Sequence, residues 1–128
     1  MTMLTDVGTN ATQQRNTTEK TMKKVKQFLE YAASYPDAII TYNASNMVLA
    51  GHSDASYLSE TKARSRAGGQ LFMSNNSDIP PNNGAVITIT QIIKAVMSSA
   101  AEVKLGDLFI NFCESIPERH ALEEMVHK

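Results

Sequence analysis

Pro36 separates two stretches of different hydrophobic period, and that change restricts what the chain can fold into. Before it, Met22, Val25, Phe28, Leu29 and Ala32 recur at helical spacing, with Lys20, Lys23, Lys24 and Lys26 mainly off the stripe. The helix is expected to end near Ser34 and Tyr35. Proline cannot donate to the helical ladder, and it drives the residue before it towards an extended backbone. Asn16 followed by Glu19 is a capping-box-like start for this helix. Beyond Pro36 the β-branched and aromatic content rises, and the period becomes that of strands. The resulting order is one helix, four strands and then two helices.

The strand region has clear punctuation. Residues 38–42 and 47–50 form two apolar runs around the polar cluster 43–46, which suggests a hairpin. Residues 60–66 are expected as a loop, 68–73 as a strand and 74–84 as a long polar loop. Residues 85–90 form a further strand, and 91–97 suit either its extension or a helix start. Ser99 and Glu102 make a capping-box pattern, and Leu105, Leu108, Phe109 and Phe112 supply a helical stripe after it. Pro117 is expected to interrupt, with a short last helix around Ala121, Leu122 and Met125. Residues 1–16 are polar and poor in periodicity, so they suggest a mobile lead-in with at most a helical turn at Met3 and Leu4. The expected division is a mobile lead-in over 1–16, a connecting amphipathic helix over 17–37 and a domain over 38–128.

Composition excludes several classes. The 128 residues suit one domain, and 42% hydrophobic with 20% charged content is that of a globular chain. No apolar run nears the roughly 18 residues of a membrane span, and no secretory signal is visible at the N-terminus. Cys113 is the sole cysteine, which removes an internal disulfide and a cysteine-built zinc site and suggests an intracellular setting, cytoplasmic or nuclear. A net charge of −1 excludes a strongly cationic nucleic-acid coat while leaving room for a local basic patch.

The sharpest chemical feature is His52-Ser53-Asp54-Ala55-Ser56-Tyr57. A carboxylate in mid-strand is costly to bury unless it meets a metal or a cation, and otherwise it points to solvent from an open sheet face. Two further segments accompany it: Lys62-Ala63-Arg64-Ser65-Arg66-Ala67-Gly68-Gly69 and Ser98-Ser99-Ala100-Ala101-Glu102. Together, from about Met22 to the C-terminus, they resemble the ribonuclease H region of copia-type retrotransposon polyproteins. That family shows a Ser-Asp-Ala strand, a basic Arg-Ser/Thr-x-x-Gly link and a Ser-Ser-x-x-Glu-x-Glu helix start.

The resemblance implies an α/β fold with a ribonuclease H-like mixed sheet, incomplete here with only its first antiparallel strands and first long helix, and a two-metal hydrolase that cuts the RNA strand of an RNA–DNA hybrid. Such chemistry needs about three or four carboxylates around two Mg²⁺ ions, with Mn²⁺ as a substitute. Asp54 matches the family's first carboxylate. The expected second one, the later glutamate of Glu-x-Glu, is Lys104 here. Glu102 is retained, yet a helix turns about 100° per residue, so it points away from that position, and capping already explains it. Asp107 lies one turn beyond Lys104 and would need a rebuilt site. The family's later carboxylates have no counterpart before Lys128, so the resemblance implies a truncated domain in which Asp54 alone survives. Missing strands would leave apolar surface open to self-association or a partner chain.

Lys62, Arg64 and Arg66 alternate, so an extended backbone would align them for contact with phosphates of a hybrid or other nucleic acid. A solvated charged surface is the plainer reading. The lysines of the first helix carry the same pair of readings. His52, His120 and His127 show no metal-ligand spacing. The chain therefore suggests either a ribonuclease H-like domain with its carboxylate set broken or a non-catalytic remnant that binds nucleic acid or protein.

Overall fold

The computed structural model describes residues 2–126. They form α1 (Thr2–Thr12), a 3-10 turn (Gln14–Asn16), α2 (Glu19–Ser34), β1 (Val48–Glu60), β2 (Arg64–Ser74), β3 (Ala85–Ile92) and α3 (Ala100–Val126). The chain divides into two compact units, Met1–Ile40 and Thr41–Lys128.

In the first unit the expected mobile lead-in is instead helical. Thr9 and Thr12 hydroxyls donate to the carbonyls of Thr5 and Thr9, so these polar side chains bond to the helix backbone itself. α2 starts two residues later than the Asn16 signal. Thr18 is the N-cap: its hydroxyl accepts from Thr21 N, and Thr21 Oγ1 accepts from Thr18 N. Its end at Ser34, before Pro36, is the expected one.

The second unit holds a three-stranded antiparallel sheet in the order β1-β2-β3, with α3 packed on β1 and β2. The hairpin expected over 38–50 is absent, because β1 pairs with β2 across a turn at 61–63. Residues 38–46 carry no strand. Their polar cluster bonds elsewhere: Asn43 N donates to Asn83 Oδ1, and Asn46 N donates to Asn75 Oδ1. Met47 then takes a left-handed φ of 59° as the chain enters β1.

The loop expected at 60–66 shrinks to three residues. Arg64 already pairs with Glu60 in the ladder, and Lys62 and Ala63 make the reversal with φ of 62° and 53°. Two successive left-handed residues are what a tight hairpin needs, supplied here without glycine.

β2 is the central strand and the most buried. Ala67, Leu71 and Phe72 lie in the core with Ile89, Ile93 and Val103, and Phe72 is fully enclosed. Burying such a side chain is worth about 1.5–3 kcal/mol. Ala55, Met97 and Ile110 pack around the Ala67, Ile93 and Val103 cluster, which fixes α3 to the sheet. α3 runs unbroken through Pro117, so the expected break and separate last helix do not occur. His127 lies outside the described residues.

Candidate functional site

β1 places Asp54 opposite Gly68 of β2, with Ser53 opposite Gly69 and Ala55 opposite Ala67. Ala55 packs into the cluster beneath α3, and the Ser53 side chain lies near enough to Asp107 on α3 to lower its pKa. Alternation along a strand therefore turns Asp54, which sits between them, to the other face, where it is exposed.

On the α3 face the central polar group is Asp107, at 1% exposure. Its Oδ1 accepts from Gly68 N at 3.0 Å and from Asn111 Nδ2 at 2.9 Å. Asn111, one helical turn on, also donates to the Gly68 carbonyl at 3.3 Å. One carboxylate and one amide thus clasp both polar groups of a single sheet residue and tie α3 to β2. The approach is close because Gly69 has no side chain: a Cβ there would collide with Asn111 Oδ1. That oxygen is buried and has no hydrogen-bond partner among the described residues. Burial raises the Asp107 pKa, with the Asp54 charge adding to it; the bonds from Gly68, Asn111 and Ser53 oppose the rise.

The other expected carboxylate is a cap. Glu102 accepts from Ser98 N and Ser98 Oγ, both at 2.7 Å, while its own N–H donates to Ser99 Oγ at 3.2 Å. These bonds, the Ser98 hydroxyl first, hold its pKa below the ordinary glutamate value. Tyr57 Oη donates to the Ser98 carbonyl and links the end of β1 to this cap. Lys104 is exposed, and among the described residues no ion pair joins it to Asp54.

The basic cluster is not one face. Lys62 is exposed in the turn, and Arg64 is half-buried at the start of β2. Arg66 is 6% exposed and pairs with Glu60 at 2.6 Å, with a further bond to Thr90 Oγ1 at 3.2 Å. The alternation assumed an extended backbone through Lys62, whereas the left-handed turn breaks it. Asn111 and Glu60 were not anticipated. Asn111 was accessible from its i+4 spacing to Asp107, while the Glu60–Arg66 pair depends on the hairpin register.

A divalent cation does not fit these residues. Asp54 stands on one face, Asp107 is committed to protein donors on the other, and Glu102 is held by Ser98. Among the described residues no group of three or more His, Cys, Asp or Glu converges as a metal site. No described helix is long and apolar enough to cross a membrane. Comparison with protein-family models, curated proteins and solved structures gives no match for this chain.

Proposed function

We propose that the chain is a ribonuclease H-like domain of copia-type retroelement origin that does not perform two-metal catalysis. The observation carrying this reading is the pairing of Asp54 in mid-strand with an Asp107 bound up in hydrogen bonds, so that the two carboxylates do not share a face. The motif order supports the origin: the Ser-Asp-Ala strand comes first, the basic link second and the Ser-Ser helix start third. Loss of the glutamate at Lys104 supports the lack of activity.

A second reading, a non-catalytic nucleic-acid binder, is favoured by Lys62, exposed at the hairpin tip with Arg64 beside it. A labelled RNA–DNA hybrid incubated with Mg²⁺ or Mn²⁺ tests both. The expected outcome is no cleavage above that of Asp54→Asn. Metal-dependent cleavage lost in that variant would overturn the proposal. Salt-sensitive binding weakened by Lys62→Ala and Arg64→Ala would support the second reading.

A further inference from the structure

The first unit, Met1–Ile40, holds a cleft of its own. The short link 13–18 returns α2 alongside α1, and the Thr21 hydroxyl donates to Gln13 Oε1 at 3.1 Å to hold the turn. Between the two helices lies a cavity of about 510 Å³, within the range of about 300–1,000 Å³ usual for small-molecule sites. Met3, Asp6 and Asn10 border it from α1, at i, i+3 and i+7. Lys24, Gln27, Phe28 and Tyr31 border it from α2, at i, i+3, i+4 and i+7. Each set is therefore one helix face, and each runs about 10 Å along the cleft.

The facing sides of packed helices are ordinarily apolar. This seam is largely polar, and its polar groups are unpaired. The side chains of Asp6, Asn10, Lys24 and Gln27 make no hydrogen bond or ion pair among the described residues. The Asp6 carboxylate and the Lys24 ammonium border the same space yet do not come within the 4.0 Å of an ion pair. Met3 and Phe28, both half-buried, add apolar wall, and Tyr31 is 45% exposed on the same cleft. One anion, one cation and two carboxamides thus share a cavity with a thioether and two aromatic rings.

We propose that this cleft binds a dipeptide-sized zwitterion with an apolar side chain. Asp6 takes its ammonium and Lys24 its carboxylate, in charge-assisted hydrogen bonds that the two residues do not make with each other. A single amino acid carries both charges on one carbon, whereas a dipeptide sets them a further Cα step apart, about 3.8 Å. That separation suits two protein charges that do not meet. A carboxamide donates and accepts at once, as a peptide group does, so Asn10 and Gln27 match the linkage between the charged ends. Met3, Phe28 and Tyr31 supply the surface for the apolar side chain. A nucleotide or other polyanion is repelled by Asp6, and a simple cation by Lys24.

Titration of the full chain with alanyl-phenylalanine, followed by two-dimensional NMR, reads this binding residue by residue. The expected result is saturable shifts along residues 3–10 and 24–31 in the low millimolar range, the affinity usual for so small a ligand. The N-acetylated dipeptide, which lacks the ammonium, and the dipeptide amide, which lacks the carboxylate, should each bind about threefold or more weakly. Two variants assign those losses. In Asp6→Asn acetylation should cease to matter, and in Lys24→Gln amidation should cease to matter. Both positions are exposed, circular dichroism checks that each variant keeps the fold, and the comparison of analogues needs the natural chain alone. No saturable shift at tens of millimolar, shifts elsewhere in the chain, or equal binding of all three ligands would overturn the proposal. So would inorganic phosphate shifting the same residues as strongly as the dipeptide, which would mark a plain anion site. The titration involves neither metal nor nucleic acid, so its outcome is separate from that of the cleavage assay.

Discussion

At the residue scale, Asp107 carries the joint between helix and sheet. Asp107→Ala strips Gly68 N–H and Asn111 Nδ2 of an acceptor in a buried place, and we expect a loss of about 2–4 kcal/mol in urea unfolding. Asp107→Asn keeps an acceptor oxygen and is expected to cost less than about 1.5 kcal/mol. The pH dependence has a definite sign. Because the folded pKa is raised above the unfolded one, the contribution of Asp107 is complete below about pH 3.9 and is lost as pH rises through the folded value. Stability measured upward from that pH should therefore fall less steeply in Asp107→Asn than in the natural chain. Arg66 is a second such centre. Removing it alone leaves Glu60, whose side chain is 13% exposed, without its cation, and about 3–5 kcal/mol should be lost. The double variant Glu60→Ala/Arg66→Ala should recover part of that, which a double-mutant cycle reads.

At the element scale, the β1–β2 hairpin is built against local preference. Lys62 and Ala63 both occupy the left-handed region, where a side chain costs about 1 kcal/mol or more. Ala63→Gly is expected to raise the unfolding midpoint by an amount worth up to about 1 kcal/mol, despite the added freedom of the unfolded glycine. The α3–β2 contact works in the opposite direction. Gly69→Ala inserts a methyl where Asn111 Oδ1 already lies, so we expect a loss above about 2 kcal/mol, partly restored by Asn111→Ser in the same chain. At the start of α3, Ser99→Ala removes the N-cap oxygen and should cost about 1 kcal/mol in thermal unfolding.

At the scale of the whole molecule, α3 packs on β1 and β2, Asp107 and Glu102 are bound by protein donors, and Asp54 is exposed on the other sheet face. Addition of Mg²⁺ is accordingly expected to leave the melting temperature unchanged, since only a ligand that prefers the folded state raises it. A saturable rise lost in Asp54→Asn would reverse that conclusion. The α3 helix is apolar on the sheet side at Val103 and Ile110, and it is apolar on exposed positions at Leu105, Leu108, Phe109 and Phe112.

Local signals settled much of this protein. Pro36 ended α2, Ser99 and Glu102 opened α3, and the polar run at 74–84 separated β2 from β3, because each acts through backbone groups within a turn or two of itself. Asp54 in mid-strand was legible for the same reason. Other features were decided only when distant segments met. Residues 38–42 have strand composition but join no ladder, since β1 found its partner in β2. Arg66 has the spacing of a surface cation, and the hairpin register turned it onto Glu60. Asp107 has the sequence context of an exposed helix residue, and the absence of a side chain at Gly69 brought α3 close enough to bury it. Pairing register and close approach are properties of two segments at once, so only the tertiary structure could fix them.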